Sequence, residues 1–322
     1  MNKLPPNTRV HGQYYSFRFR EGGKYKRVKL CHKNSSMGKV WLAYEEHIAG
    51  NILTIEFLFN QYIDSTKFKR LAVLTQKDYL NATKRLLPVF GKMNPTHLRT
   101  THVQKYMDKR SSQKRANVER TVLMNVYKWA LARFDAVTTN PAVNAEPFKM
   151  SARDRYIEDS EYNSLLADAT PAIKVAMELS YLCAARQGDI LKLKWTDLSE
   201  EGIYIKQGKT GKAQIKLWNA ELKRVISDAR KLSGIASAIY VISTCSGSRY
   251  TSSGFRSIWH RVKLRAGITD VTFHDIKAKS ISDYQGDKQY FSGHKTRSQM
   301  ERYNRTVDRV QALIEPKRRP KT

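Results

Sequence analysis

The sequence predicts a mostly α protein with small β elements, an α+β arrangement, and three observations predict it. Apolar side chains recur every three or four residues through most of residues 54–134 and again beyond residue 160. Period-two alternation is confined to two short places, around residues 15–30 and 203–217. The chain's 322 residues, 41% hydrophobic and 10% aromatic, supply cores for two or three domains and exclude a disordered chain.

The elements follow in order. Tyr15, Phe17 and Phe19 alternate with Ser16, Arg18 and Arg20; Gly22 and Gly23 turn the chain, and Val28 and Leu30 alternate with Arg27 and Lys29. This is a β-hairpin with a basic face. Ser35 and Ser36 signal a helix start, after which Val40, Trp41, Tyr44 and Ile48 form one stripe able to cover the apolar side of the hairpin. Helices are expected at 55–63, 75–87, 101–109 and 114–134, the last from the spacing of Val122, Val126 and Trp129. Pro141 and Pro147 interrupt the pattern, as an interdomain linker does. Helices are expected next at 160–169 and 171–185, then a hairpin pairing 203–206 with 214–217 around Gly208 and Gly211. Further helices are expected at 220–233, 253–266, after His274 and around Tyr303. The resulting division is a β-hairpin module at 1–53, a helical bundle at 54–137, a linker at 138–152 and a C-terminal domain at 153–322.

Charge narrows the function. Lys and Arg number 58 against 29 acids, a net +29. A chain repelling itself this strongly is matched by a polyanion, and each neutralised DNA phosphate releases counterions that favour binding. In the bundle, Lys67, Lys69, Arg70, Lys84, Arg85, Lys105, Lys109, Arg110, Lys114 and Arg115 sit at segment ends and on polar faces. Phosphate contacts are easy to make there, although a solvated face needs no partner. The N-terminal hairpin is either a separate DNA reader, since a two-stranded ribbon fits a major groove, or an ordinary cap. No stretch approaches the roughly 18 to 20 apolar residues of a membrane span, and residues 1–10 hold no signal-peptide core, so a cytoplasmic, nucleoid-associated protein is expected. Cys31, Cys183 and Cys245 are too scattered for a disulfide framework or a zinc site.

Four segments of the C-terminal half stand out. Arg186 follows Ala185 at a helix break, with Gly188 and Asp189 just after it. Lys206, Lys209 and Lys212 ride a hairpin tip containing Thr210 and Gly211. His274 and Lys277, three apart, share a helical face, and Gly293 with His294 precedes Tyr303 by nine residues. Singly these are a helix-terminal cation, a polar turn and core histidines.

Together, and in this order, they resemble the tyrosine recombinase family, specifically phage and prophage integrases. The resemblance covers roughly residues 153–305 by motif, extends to the helical bundle as a core-site-binding domain, and reaches the N-terminal module loosely as an arm-site-binding domain. It implies a site-specific recombinase that cleaves and rejoins DNA through a 3′-phosphotyrosyl intermediate, with Tyr303 as nucleophile. Arg186, Lys277 and His294 would cradle the scissile phosphate. Lys209 would protonate the leaving 5′-oxygen, and His274 would assist Tyr303 or hydrogen-bond the phosphate. Elementary chemistry agrees: a phenol with a pKa of about 10 is almost wholly protonated at neutral pH and attacks an anionic ester, so cations are required. No cofactor or metal is expected, because the cations replace a divalent ion. Asp189 either orients its neighbours or merely caps a helix.

The family's third motif normally ends in Arg; here it is Lys277, which supplies charge but no bidentate fork. The implied partners are double-stranded attachment sites, three further copies in a tetramer on DNA, and DNA-bending and excision proteins. Val307, Val310, Leu313 and Ile314 form an apolar stripe that docks on a neighbouring copy or folds back, ahead of a basic tail at Lys317, Arg318, Arg319 and Lys321. The alternatives are a type IB-like topoisomerase and a non-enzymatic DNA-binding regulator.

Overall fold

The computed structural model describes residues 4–21, 24–48, 53–151, 153–232 and 239–306. The chain divides into two compact units, Met1–Ser151 and Ala152–Thr322. The expected tail stripe and basic tail lie outside the described residues.

The first unit opens on three strands rather than a hairpin: β1 (Thr8–His11), β2 (Tyr14–Glu21) and β3 (Lys24–His32), antiparallel in that order. β1 escapes pattern reading because it is an edge strand with Arg9, Val10 and His11 all exposed, leaving no alternation to detect. In β2 the alternation is real, with Phe17 and Phe19 buried and Arg18 and Arg20 outward. Phe17 meets Tyr44 of α1 (Met37–His47) edge to face at 5.0 Å and Phe57 of α2 (Ile55–Asp64) at 6.3 Å. The sheet and the helices therefore share one core. Ser36 and Thr54 accept hydrogen bonds from Lys39 N and Phe57 N, which caps α1 and α2.

A short α3 (Thr66–Lys69) leads into α4 (Val73–Phe90), α5 (Thr100–Asp108) and α6 (Gln113–Ala130). Leu58, Tyr62, Leu86, Met107, Leu123 and Tyr127 fill the space between them. α6 stops at Ala130, four residues before the expected end, although Phe134 still reaches the core. Arg110 is not a spare phosphate contact: it grips the buried carboxylate of Glu119 through two 2.9 Å hydrogen bonds, and Tyr106 donates to the same group. Residues 138–148 have no regular element but are fastened along α6, where Asn117 bonds both backbone groups of Phe148 and Arg120 donates to the carbonyls of Val143 and Ala145.

The second unit contains α7 (Asp159–Asp168), α8 (Pro171–Leu182), α9 (Gln187–Ile190), the hairpin β4 (Gly202–Lys206) and β5 (Ala213–Leu217), α10 (Ala220–Leu232) and α11 (Ser252–Arg265). Then come α12 (Phe273–Asp283), α13 (Lys288–Ser292) and α14 (Arg297–Glu301). α12 is the spine: every residue from Asp275 to Ser282 is buried, and Phe273 anchors it between Phe255 and Trp259 at 5.0 and 5.4 Å. Thr272 and Asp275 cap its start reciprocally. Two expectations need correction. α8 ends at Leu182 rather than 185, because Ala184 turns left-handed at φ +48°. Tyr303 is not helical; it follows α14 in a turn, which frees its ring from helical packing to reach across the unit.

Candidate active site

The break after α8 releases Arg186 into an extended conformation at the head of α9. Its Nη1 donates to Gln207 Oε1 at 2.7 Å, just beyond β4. Two residues on, Lys209 is exposed on the loop between β4 and β5. Asp189 joins the two segments, its Oδ1 accepting from Gly208 N at 2.9 Å. It therefore lies in the first turn of α9 and serves the hairpin, not its own helix terminus.

α12 contributes two residues from one face. His274 Nε2 is 3.0 Å from the hydroxyl of Tyr303, with the rings edge to face at 5.3 Å. One turn later Lys277 is 1% exposed, and its Nζ lies 5.7 Å from the centre of the Tyr303 ring. Lys279 leaves on another side, paired with Asp159 and Asp283. His294 is buried behind Tyr303, ring centres 4.7 Å apart, and Ser292 Oγ holds its Nδ1 at 2.7 Å. Neither Lys277 Nζ nor His294 Nε2 has a hydrogen-bond partner among the described residues.

The structure thus brings His274, Lys277, His294 and Tyr303 into contact, with Arg186 close enough to lower the pKa of all three basic neighbours, while Lys209, exposed on its loop, is near enough to lower His274 as well. Burial, with the Arg186 guanidinium nearby, drives Lys277 from 10.5 to about 7. Burial first, then Lys277 and Arg186, takes His294 to about 4 and lowers His274 as well. His294 is therefore neutral at pH 7, and His274 is pushed toward its neutral form. A pocket of crowded donors that suppress each other's charge is complementary to an anion, which would reverse each of these shifts.

Lys277 carries a stability consequence. Between pH 7 and 10.5 the unfolded chain holds a proton that the folded one has released, so raising pH across this window favours folding. Lys277→Met should therefore be more stable than the parent at pH 6, by about 1–4 kcal/mol, and the gap should close near pH 10. Denaturant titrations at both pH values measure it; an equal gap at both would refute the buried-ammonium argument.

Several members of the site carried no sequence signal. Ser282 at the end of α12 accepts from Arg305 N at 2.7 Å, and Lys288 Nζ reaches Asn304 Oδ1 at 3.0 Å, so the segment carrying Tyr303 is tied down just past the ring. Gln207 and Ser292 are equally silent. Gly293 was legible: it sits at φ +66°, and a Cβ there would lie 2.5 Å from Gln214 Oε1 and 2.6 Å from Gln207 Nε2. Gly293→Ala should cost about 1–3 kcal/mol, from left-handed strain plus displacement of both amides. An unchanged denaturation midpoint would show that this turn tolerates a side chain.

Among the described residues no cluster of three His, Cys, Asp or Glu could hold a metal ion, and no helix is long and apolar enough to cross a membrane.

Comparison with known proteins adds to this geometry. Residues 155–309 match the model of the phage integrase family. The integrase of Escherichia phage HK022 is 26% identical over 219 residues, covering 62% of this chain and 60% of that one. The chain spans about 60% of the length of the curated relatives it matches. Two solved structures share the fold. A lambda integrase dimer bound to a COC′ core site superposes with a TM-score of 0.70 at 19% identity, covering 97% of this chain and 99% of that one. A lambda integrase tetramer bound to a Holliday junction gives 0.72 at 18%, covering 98% and 100%.

Proposed function

We propose that this chain, whose residues 155–309 match the model of the phage integrase family, is a site-specific DNA recombinase that breaks and rejoins strands through Tyr303. The observation that carries the reading is the Tyr303 hydroxyl, 3.0 Å from His274 Nε2 and packed beside two buried nitrogens, Lys277 Nζ and His294 Nε2, that no described residue satisfies. A DNA phosphodiester brought to this hydroxyl supplies the missing acceptors.

The chemistry follows from the groups present. Tyr303 Oη attacks phosphorus, forming a 3′-phosphotyrosyl ester as the bond to the 5′-oxygen breaks. His274, in hydrogen-bond reach of the hydroxyl, accepts the phenolic proton or steers it toward the phosphate. Arg186, Lys277 and His294 stabilise the charge that builds on the non-bridging oxygens. Lys209, exposed on its loop, delivers a proton to the departing 5′-oxygen. Because the ester conserves the energy of the broken bond, the 5′-hydroxyl of a second strand can reverse the attack without ATP. Lys277 in place of the family's usual Arg provides a point charge whose proton is held once the phosphate is in place.

Exchange between two duplexes needs four cleavages and hence four copies on paired attachment sites, consistent with the tetramer in the lambda integrase structure. The bundle would hold the core site and the N-terminal module a second DNA site, in a bacterial cell and with bending and excision proteins as accessories. Its outward basic face suits that role: Arg18 stacks on Tyr25 at 3.9 Å and Lys29 lies 4.9 Å from the Tyr14 ring.

The test is covalent capture. A pool of nicked, 5′-labelled duplexes with a randomised centre is incubated with the protein in EDTA and resolved under denaturing conditions. A labelled strand that remains attached to protein, enriched for one sequence, is the expected result; strand breaks that appear only with added magnesium, and never attached to protein, would reject the proposal.

A further inference from the structure

We propose that Gln207 is a positioning residue that sets the orientation of the Arg186 guanidinium and couples it to the loop carrying Lys209 and the turn carrying His294. Gln207 is 6% exposed at the end of β4. Its Oε1 accepts from Arg186 Nη1 at 2.7 Å and from Thr210 Oγ1 at 2.8 Å, while its Nε2 donates to the carbonyl of Ser292 at 3.0 Å. The partners dictate which end of the amide is which. A guanidinium only donates and a carbonyl only accepts, so the flipped amide would oppose donor to donor and acceptor to acceptor.

The backbone of the same residue closes the loop. Gln207 N donates to Lys212 O at 2.8 Å, and Gly211 N donates to Gln207 O at 2.8 Å, so the segment bearing Lys209 is pinched at its base by this one residue. Three segments far apart in sequence, the turn before α9, the β4–β5 loop and the end of α13, therefore meet on a single buried side chain. Gly293 makes the third bond reachable, since a Cβ there would lie 2.6 Å from Nε2.

The consequence concerns preorganisation. A free arginine side chain samples many rotamers, and its fork grips two phosphate oxygens only when its plane is fixed. With Nη1 held by Gln207, the remaining donors point one way before any DNA arrives. Asp189 ties the Arg186 turn to Gly208 but makes no hydrogen bond to the guanidinium, so this orienting task falls to Gln207.

The activity part of this inference rests on the strand-transfer reading above, and its spectroscopic part does not. Side-chain ¹⁵N NMR of the full chain follows the Arg186 Nη signals, identified by their loss in Arg186→Lys. The parent and Gln207→Glu, which keeps the Oε1 acceptor, should show separate Nη signals; Gln207→Ala should show them merged by free rotation. Should the alanine variant fail to fold, Gln207→Met removes the same three bonds at matched length. In covalent capture, Gln207→Ala or Gln207→Met should form the adduct about 10- to 100-fold more slowly, with the half-saturating DNA concentration within about twofold of the parent. Merged signals in the parent, unchanged signals in the Ala or Met variant, or adduct formation at the parental rate would overturn the proposal. A parent that forms no adduct would sink the strand-transfer reading, and the Arg186 signals would still decide the role of Gln207.

Discussion

Tyr303→Phe should fold, bind DNA as the parent does, and form no protein–DNA adduct. The ring loses only its oxygen, and its packing on His294 at 4.7 Å and within the small cluster of Ala184, Ile281, Met300 and Phe291 is unaffected. What disappears is the atom 3.0 Å from His274 Nε2, the one proposed to bond to phosphorus. Nucleophile removal in a covalent hydrolase costs on the order of 10⁶-fold, so a loss of at least about 10⁴-fold, down to assay background, is expected here. Thermal denaturation and filter binding check the fold and affinity; capture on nicked duplex checks the chemistry. The sharpest competing nucleophile is Tyr290, 75% exposed at α13. An adduct that survives Tyr303→Phe and vanishes in Tyr290→Phe would move the reaction there and dismantle the site described above.

Arg186→Ala should cut adduct formation by about 10²–10³-fold while leaving DNA affinity nearly intact. The guanidinium is a planar fork held by Gln207 beside the Tyr303 pocket, and loss of a preorganised donor to a developing oxyanion typically costs about that much. Affinity survives because 57 other Lys and Arg remain from the 58 in the chain. Arg186→Lys should recover little, since an ammonium cannot engage two oxygens in a plane. There is an electrostatic signature as well. Arg186 is one of the charges holding the pKa of Lys277, His294 and His274 down, so its removal should let all three rise. Imidazole titration followed by NMR reads this directly: His294 and His274 should take up protons at higher pH in the variant. Unshifted histidines would mean that the guanidinium does not face this pocket.

Much of the architecture was legible because it is local. Helix spacing located α2, α4, α5, α7 and α11 to within a few residues, since an amphipathic stripe is written in neighbouring positions. The failures have physical causes. β1 has no alternating apolar residues, Ala184 ends α8 by a backbone turn that no common breaker announces, and Arg110 is occupied by a carboxylate nine residues away. The site was legible in part for a different reason: Arg186, Lys209, His274, Lys277, His294 and Tyr303 are chemically conspicuous types in a distinctive order.

By itself the sequence determined the charge that calls for a polyanion, the helical stripes, the glycine before His294, and the identity of the groups capable of phosphate chemistry. Only the tertiary structure decided that His274 meets a tyrosine 29 residues away, that Lys277 is sealed from water, and that an unremarkable glutamine orients Arg186. The reason is that composition and periodicity depend on adjacent residues. Desolvation and hydrogen-bond geometry depend instead on which distant segments the folded core presses together.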